Sequence, residues 1–359
     1  MSFKVNPKVR NETIFNAVRA AMENDFTDRI PEANRLNMQQ IGTAISSGAF
    51  KTFVNEWFDT LINRIGMTLF YDYTLENRLA RYIYGRMDFG DAIQEIATDI
   101  VKGAEMNYGE DGKSIDPFVI TSPEVKAMYH RINKPIQYCT TVKRDLLNRA
   151  FLNSGGLGRL IGMFVNKLYS SANYDTWLLT LSAMAYYIND SMAAEGYPLL
   201  ETQKVGVQDV VDAETARQFV LKVKNVVTSM NFPNASFNPM KLHKTLSNRD
   251  LVLFIRADIL NVISVDLLSS AFHAENLNMN VRIEPMNGFG VDPKGGGTDD
   301  ILAVLAEDNW LLITEQFEDM DSIYNPRGRY WNYFLTRAMS FGVTYFKDAV
   351  IFGKRYLTN

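Results

Sequence analysis

The sequence predicts an α+β protein, and three patterns support that prediction. The first is a long helical stripe of apolar residues that begins near residue 154, and the second is a mixed run of helices and strands between residues 207 and 317. The third is a strand in which large apolar residues occupy nearly every odd position from 331 to 345. Because side chains alternate between the faces of a strand but recur every 3.6 residues in a helix, these patterns distinguish the two element types.

The N-terminal segment is predicted to be an arm that carries one short helix. Asn11 is a suitable helix cap, and apolar residues follow it at helical spacing until Pro31 ends the pattern. Residues 32–50 are rich in Asn, Gln, Ser and Gly, which offer little to build a core. They either lie extended over another surface or form a disordered tail, and the sequence leaves both open.

Between residues 68 and 142, aromatic and charged residues interleave around a polar, glycine-containing centre. This pattern favours a long hairpin that projects from the body, with its tip near residues 107–112. The alternative is an irregular surface loop, although loops of that length are uncommon in compact domains unless they have a function.

A long helix, called the spine helix below, is predicted after Asn153 or Ser154, either of which can cap it. It continues to about Met192 and is on the order of 50 Å long, since each helical residue adds about 1.5 Å. Its apolar stripe consists of Leu157, Leu160, Ile161, Phe164, Val165, Leu168 and Ala172.

The region from 207 to 317 is predicted to be a compact α+β domain with a small sheet. Asp212 caps its first helix, whose stripe is Ala216, Phe219, Val220, Val223, Val227 and Met230. Its further elements are strands at Leu251–Ala257, Val281–Met286, Ile301–Leu305 and Trp310–Thr314, and a helix near Ile259–Phe272.

The closing segment begins with a turn and continues as a strand. In Asn325-Pro326-Arg327-Gly328, Asn suits the first position of a tight turn, Pro presets φ at the second, and Gly closes it. The strand over 329–346 carries large residues on both faces, so we expect both faces to be covered. Three residues of its odd face are expected to be structural: Trp331, Tyr333 and Phe341. A second strand at 349–353 is predicted to pair with it as a hairpin around Lys347-Asp348.

Composition excludes several classes of protein. With 47% hydrophobic and 22% charged residues, the 359-residue chain resembles ordinary soluble globular proteins. It contains no apolar stretch long enough to span a bilayer, and its start lacks the apolar core of a signal peptide, so we expect no export. Its one cysteine, Cys139, excludes an internal disulfide, and its three histidines show no zinc-binding spacing. A net charge of −4 without a basic cluster makes sequence-specific nucleic-acid binding a weak hypothesis.

The candidate catalytic and binding motifs are weak. Gly288-Phe289-Gly290 and Gly295-Gly296-Gly297 could cradle a phosphate, but Lys294 precedes the glycines and two aspartates follow them. A mobile loop at a domain tip fits this segment better. Neither the acidic residues nor the pair of Cys139 and His130 forms a catalytic pattern. We therefore expect no enzyme activity, no cofactor and no metal site.

The closing block also resembles a known family. Asn325-Pro326-Arg327-Gly328, one variable residue and Tyr330-Trp331-Asn332-Tyr333 are similar to the major capsid protein of small short-tailed phages with protein-primed DNA replication, the phi-twenty-nine group. Shorter blocks agree in order and spacing over about residues 50 to 353: Arg64-Ile65-Gly66, Glu95-Ile96, Thr98-Asp99-Ile100, Ala257-Asp258, Val265-Asp266 and Ala271-Phe272.

The resemblance implies the Hong Kong 97-type capsid fold of tailed phages. Under it, residues 1–67 are the N-terminal arm, and 68–142 are the extended loop that reaches over a neighbouring subunit. Residues 143–206 and 321–359 form the peripheral domain with the spine helix, and 207–320 form the axial domain around the capsomer axis.

The best-known member of the group carries an immunoglobulin-like domain after the capsid fold, and we expect this chain, which stops at Asn359, to lack it. We also expect no additional N-terminal region that could act as a fused scaffold. We therefore expect a separate scaffolding protein and no removal of an N-terminal scaffold.

The function that the resemblance implies is self-assembly, through hexamers and pentamers, into an icosahedral or prolate shell that encloses double-stranded DNA. The implied place is the virion capsid, assembled in the host cytoplasm without a membrane. The further partners are a portal or connector and DNA, which the protein meets only by non-specific proximity. Many weak contacts suffice, because multivalency multiplies them. Candidates for contacts between subunits are Arg78, Arg81, Arg86, Arg327, Arg329 and the glycines Gly295, Gly296 and Gly297.

Two alternatives remain open at this point. The same fold builds encapsulin nanocompartments, which enclose a cargo enzyme instead of a genome. From a different class, the region 207–317 could be a nucleotide-binding enzyme domain, which saturable nucleotide binding near Gly295–Gly297 would support.

Overall fold

The computed structural model describes residues 77–87, 92–101, 124–144, 156–263 and 281–357, with isolated positions at 90, at 103 and between 15 and 41. The strands are β1 (Ile83–Arg86), β2 (Ala92–Thr98), β3 (Val125–Arg131), β4 (Lys134–Lys143), β5 (Lys204–Gly206), β6 (Leu251–Arg256), β7 (Arg282–Met286), β8 (Ile301–Glu307), β9 (Leu311–Asn325), β10 (Tyr330–Val343) and β11 (Ala349–Gly353). The α-helices are α1 (Gly156–Ile188), α2 (Ala213–Met230) and α3 (Ala257–Val262). Four predictions fall wholly or largely outside these residues: the helix after Asn11, the hairpin tip at 107–112, the cap at Asn153 or Ser154, and the helix beyond residue 263.

A four-stranded sheet with the order β1-β9-β10-β4 forms one layer of the molecule. β9 and β10 are antiparallel neighbours joined by a turn, and β4 runs antiparallel along the other side of β10. β1 pairs in parallel with only a short part of β9, from Ile313 to Glu315. The sheet is therefore built on two long central strands.

α1 is the predicted spine helix. Its 33 residues correspond to about 50 Å, and it packs across β10 and β4. Leu168 and Ala172 of the predicted stripe are buried, as is Met184 further along the helix. The predicted end near Met192 is a few residues too late, because Asp190, with a φ of 55°, has left the helical conformation.

A five-stranded sheet with the order β5-β11-β8-β6-β7 forms the centre of the second layer. α2 covers one face of this sheet and shares a hydrophobic core with β6, β8 and β11. The helix begins at Asp212, whose carboxylate accepts a hydrogen bond from the backbone N–H of Thr215 at 2.8 Å. All six predicted stripe residues of α2 are buried, which confirms both the helix and its orientation.

The predicted hairpin between the two closing strands is wrong. β10 lies in the four-stranded sheet, whereas β11 pairs with β8 and β5 in the five-stranded sheet. β11 is thus separated from the long strands with which the resemblance grouped it. The link between them is held in place because the N–H of Thr344 donates to Trp310 O (3.0 Å) and Lys347 Nζ contacts Glu307 Oε1 (2.9 Å). Likewise, β8 lies in the five-stranded sheet and β9 in the four-stranded sheet. The chain therefore crosses between the layers twice, at adjacent positions.

The turn after Asn325 follows the predicted chemistry with one change. Asn325 Oδ1 accepts hydrogen bonds from the backbone N–H groups of Arg327 (3.0 Å) and Gly328 (3.1 Å). The positive φ, 53°, falls on Arg329 and not on Gly328. Gly328 is needed for a different reason, because a Cβ there would lie 2.2 Å from the ring of Tyr330.

Candidate assembly surfaces

β2 and β3 form an antiparallel hairpin, which confirms the predicted hairpin in the part that the structure describes. Its inner face is docked on the body of the same subunit. Lys126 Nζ donates to Met240 O at 2.6 Å, and Met128 is buried in the main core. Just beyond β2, both carboxylate oxygens of Asp99 lie 3.0 Å from His243 Nδ1. The backbone N–H of His243 is the main reason that the pKa of Asp99 falls to about 2.

The other face of the hairpin is an exposed apolar surface, called the hairpin outer face below. Its large members are Ile96, Val125 and Tyr129, which are 59%, 58% and 62% exposed. They share one face because Ile96 lies opposite Ala127 and Thr98 lies opposite Val125 in the register of the two strands. Apolar residues grouped on one face mark an interaction site more often than scattered ones do.

The three arginines predicted as contacts near the hairpin have different surroundings. Arg81 binds within its own chain, with Nη1 2.8 Å from Glu284 Oε1, and the Glu284 side chain is only 7% exposed. Arg86 Nε lies 3.4 Å from Gln316 O, while Arg78 is exposed. The sequence could not indicate the partner of Arg81, because Glu284 is far away along the chain.

The inner face of the four-stranded sheet, against α1, is fully covered. It buries the three residues predicted to be structural: Trp331, Tyr333 and Phe341. Arg337 interrupts this apolar row and is also buried, with Nη2 3.3 Å from Glu315 Oε1 and Nε 2.7 Å from Glu318 Oε2. Burial raises the pKa of Glu318 although this guanidinium lies beside it. The inner face therefore matches its buried positive charge with two carboxylates.

The opposite face of this sheet is exposed along the second half of β9, whereas its β10 positions are half-buried or buried. On β9, the exposed side chains of Phe317 and Ile323 flank those of Asp319 and Asp321, which are also exposed. Neither aspartate has a cation partner in the described part of the chain. The expectation that both faces of the closing strand are covered is thus met on its inner face and in part on its other face, where Ala338 and Ser340 are buried and the remaining positions are half-buried.

Four cationic residues gather at the end of the four-stranded sheet where the Asn325 turn lies. Lys143 lies opposite Tyr330 in the register of β4 and β10, and the N–H of Arg144 donates to Arg329 O at 3.0 Å. Arg327 and Arg329, both predicted as contact residues, are exposed here. Sequence reasoning missed Lys143 and Arg144, which reach the turn only through the pairing of β4 with β10.

The glycine-rich loop packs against the C-terminal end of α1. Asn189 Nδ2 donates to Gly296 O at 3.0 Å, and a Cβ at Gly296 would lie 2.6 Å from that nitrogen. A Cβ at Gly290 would lie 2.8 Å from the Cβ of Leu181. The prediction of a loop at a free domain tip is therefore wrong, since these glycines permit close packing on the helix.

The same loop supplies its own anion. Asp292 Oδ1 accepts from the N–H of Lys294 at 2.7 Å, and the N–H of Gly295 donates to Asp292 O at 2.8 Å. Gly297 O accepts from Arg355 Nη2 at 2.9 Å. Since Asp292 occupies the position where a phosphate would meet the loop amides, this geometry does not favour nucleotide binding.

Several titratable residues form ion pairs within the chain. Asp300 binds Arg355, His130 Nε2 lies 2.7 Å from Glu95 Oε2, and Cys139 is exposed elsewhere on the four-stranded sheet. Within the described ranges, no three His, Cys, Asp or Glu side chains form a cluster that could hold a metal ion. No helix in those ranges is long and apolar enough to cross a membrane.

Sequence reasoning also missed the polar link between the two sheets. Glu307 Oε2 lies 2.8 Å from Lys244 Nζ, and its other oxygen binds Lys347. Beside it, Asp348 Oδ1 accepts from Asn238 Nδ2 at 2.8 Å, and burial raises the pKa of Asp348 to about 6. No local pattern reveals this link, because its members come from four separate segments.

The fold matches chains of solved phage capsid structures. A chain in the capsid structure of Staphylococcus phage Andhra matches with a TM-score of 0.60 at 12% identity, covering 79% of this chain and 85% of that chain. A chain of the mature capsid of bacteriophage PhiM1 matches with a TM-score of 0.50 at 10% identity, covering 79% and 88%. The fold is therefore the Hong Kong 97-like capsid fold, as predicted.

Sequence comparison narrows this class to one family. The family model for the Phi29-like phage major capsid protein matches residues 15–353. The major capsid protein of Bacillus phage B103 is 28% identical over 341 residues, covering 94% of this chain and 72% of that protein. The corresponding protein of Streptococcus phage Cp-1 is 24% identical over 347 residues, covering 93% and 92%. The chain belongs to the Phi29-like phage major capsid protein family, and it assembles with itself into the capsid of a tailed phage.

Proposed function

We propose that this capsid protein forms hexamers and pentamers of a shell around double-stranded DNA, and that the hairpin outer face binds a neighbouring subunit. The observation that carries the proposal is the exposure of Ile96, Val125 and Tyr129 on a hairpin whose other face is docked on its own subunit. Burying this face against a neighbour contributes about 25 cal/mol for each Å² removed from water. Each gain is small, but each subunit touches several neighbours in a shell, which multiplies it.

The parts of the chain take the following roles in this proposal. Residues 1–67 are the N-terminal arm and 207–320 the axial domain, to whose sheet β11 adds a strand. Residues 143–206 and 321–359 are the peripheral domain, apart from β11. Residues 68–142 are the extended loop, of which β2 and β3 form the projecting part. β1 and β4 complete the peripheral sheet, because they pair with β9 and β10.

The partners that we propose beyond the shell itself are a separate scaffolding protein, a portal or connector, and packaged DNA. Membership of a capsid protein family supports the first two. Contact with DNA is non-specific in this proposal, in keeping with the net charge of −4. The role is mechanical and not enzymatic, since the candidate phosphate loop is filled by Asp292 and the titratable groups form structural pairs.

The content of native particles tests the proposal. Particles in which mass spectrometry identifies this chain as the main component are treated with nuclease and then imaged by cryo-electron microscopy. We expect shells filled with nuclease-protected DNA and bearing a tail at one vertex. Shells that enclose protein and protect no DNA would contradict the proposal and support a nanocompartment. Particles disrupted before nuclease treatment serve as the control for nuclease activity.

A further inference from the structure

Arg144 is a buried arginine for which the described chain supplies no acid. The residue is 5% exposed, and its Nε has no hydrogen-bond partner. Arg337, on the neighbouring strand of the same sheet, is buried to a similar degree but binds both Glu315 and Glu318. A buried charge without a counter-ion destabilises a protein, because its lost hydration is not replaced. Among the described residues, Arg144 therefore lacks the counter-ion that Arg337 has.

Arg144 belongs to a cluster of cations, called the basic sheet end, whose members are Lys143, Arg144, Arg327 and Arg329. The cluster is held by the backbone: the N–H of Arg144 donates to Arg329 O, and two hydrogen bonds to Asn325 Oδ1 fix the turn that carries Arg327. Within the described residues, Lys143, Arg144 and Arg327 form no ion pair. The surface offers fixed positive charge to an anion from outside the subunit.

The open face of β9 has the complementary character and is called the acidic stripe. Asp319 and Asp321 are exposed without a cation partner in the described residues, and Phe317 and Ile323 on either side are 40% and 60% exposed. The two surfaces are separated along the strands of one subunit. Asp321 is paired with Phe334, four residues along β10 from Tyr330, whereas the basic sheet end lies at and beyond Tyr330.

We propose that the basic sheet end of one subunit binds the acidic stripe of a second copy of this chain, with Arg144 as a charge that only this contact neutralises. The inference rests on the proposed function and names the partner of one of its contacts. Two different, complementary surfaces on one chain make a head-to-tail contact, which closes into rings when the rotation permits. A guanidinium and a carboxylate fit each other through two parallel hydrogen bonds.

The other anion that could reach the basic sheet end is a DNA phosphate. Two exposed aspartates on the same sheet and the overall negative charge disfavour a nucleic acid. The acidic stripe of the same chain carries carboxylates that are unpaired among the described residues. A second copy of the chain therefore brings both an acidic stripe and a basic sheet end. The observations therefore favour a second copy, and DNA becomes an outcome of the test.

The first experiment replaces the buried charge. Arg144→Met keeps the long apolar stem but removes the charge, so we expect the Tm of the unassembled subunit to stay unchanged or rise. The yield of closed shells should fall at least tenfold under the conditions in which the unmodified chain assembles. Arg337→Met is the matched control, and it should lower the subunit Tm because it leaves Glu315 and Glu318 without their cation. A lowered Tm for Arg144→Met, or an unchanged shell yield, would overturn the inference.

The second experiment exchanges exposed charges, so that folding is little affected. Asp319→Lys with Asp321→Lys should abolish shells, and so should Lys143→Glu with Arg327→Glu. The chain that carries all four substitutions should assemble again, because both surfaces have then changed sign. Failure of this restoration, with each variant subunit folded, counts against the pairing.

Two further outcomes identify what has failed. If the Lys143→Glu, Arg327→Glu variant forms shells at the normal yield but its native particles package less DNA, the ligand is phosphate and the inference is wrong. If the unmodified chain forms no shells, the proposed function itself fails. If the unmodified chain and all variants assemble equally, only this inference fails.

Discussion

The five-stranded sheet is buried by its own chain, whereas the β2–β3 hairpin is covered by its own chain on one face only. Leu251–Ile255 on β6 and Ile301–Ala306 on β8 are buried at every position. In the hairpin strands, only Met128 is buried, and half-buried and exposed positions alternate along most of both strands. The first region is complete in a single subunit. The second gains its remaining cover only when another molecule binds, so damage to the two regions should have different consequences.

The largest effect is expected from a core residue of the body. Trp331→Ala removes a fully buried side chain, and large-to-small substitutions of this kind cost about 3–5 kcal/mol. That is a large part of the roughly 5–15 kcal/mol by which domains are stable, so soluble subunit should be nearly lost. Urea unfolding measures the change. Ile323→Ala, at an exposed position of the same sheet, is the control, with an expected change within about 0.5 kcal/mol. An unfolding midpoint of Trp331→Ala equal to that of the control would refute the burial described here.

Substitutions on the hairpin outer face should leave the stability of the subunit nearly unchanged but prevent assembly. Ile96→Asp with Tyr129→Asp changes only exposed side chains, so the subunit should fold with its Tm within a few degrees of normal. Shell formation should drop at least tenfold, because the hairpin outer face then carries charge into an apolar contact. Sedimentation velocity and electron microscopy measure assembly. The control is Val211→Asp, beside the cap of α2 and 73% exposed, which should leave assembly intact. A normal shell yield from the double variant would contradict the idea that the hairpin, unlike the five-stranded sheet, is covered by another subunit.

A pH-dependent effect of intermediate size is expected in the body, at the link between the sheets. Because burial raises the pKa of Asp348 to about 6, the folded protein favours its neutral form. The stability associated with this group is therefore greatest below its ordinary pKa of about 4, and it is lost as the pH rises through 6. Asp348→Asn keeps an acceptor for Asn238 and removes the charge, so it should stabilise the subunit by about 1–3 kcal/mol at pH 8 and little at pH 4. Urea unfolding at both pH values tests this, with the exposed Asp321→Asn as control. Equal effects of Asp348→Asn at the two pH values would contradict a raised pKa for Asp348.

The smallest effect is expected where the hairpin is attached. Since the pKa of Asp99 is lowered to about 2, its ionised form supports the docked hairpin above pH 4, and this support is lost as the pH falls towards 2. Asp99→Asn should therefore loosen the hairpin at neutral pH without unfolding the body. Hydrogen exchange should become a few times faster in residues 124–131 and stay unchanged in Leu251–Arg256. Faster exchange in both regions would mean that the hairpin and the body open together.

Helices and strands could be predicted from the sequence where the signals, a cap or a repeat of apolar residues, lie within the element itself. Asp212 and the stripe of α2 gave the correct helix, because a cap and a 3.6-residue repeat are local. β9 was predicted too short, as Trp310–Thr314 against the observed Leu311–Asn325. Its second half alternates between half-buried and exposed positions but carries acidic residues on both faces, so hydrophobicity alone does not mark it as a strand. It becomes a strand because β10 pairs along its whole length.

Long-range partners were the part that the sequence could not provide. The two closing strands, separated by a short polar link, look like a hairpin, yet β8 and β5 compete successfully for β11. Arg81 was predicted to bind another subunit and has an intrachain partner in Glu284, whereas Arg144 was overlooked and has no acidic partner among the described residues. A single cation carries no information about whether its counter-ion lies in the same chain. That information comes only from the folded neighbourhood.

The two adjacent crossings between the sheets have a mechanical consequence. The links at Glu307–Trp310 and Thr344–Asp348 are bonded to each other: the N–H of Thr344 donates to Trp310 O, and the N–H of Glu307 donates to Asp348 O at 2.9 Å. Two parallel connections resist torsion in a way that a single flexible joint cannot. One layer can therefore tilt against the other mainly about the short line that joins the two links. If the shell holds DNA as proposed, outward load would pass between the layers through these two links, so the contacts of Glu307 with Lys244 and Lys347 lie on the path of that load.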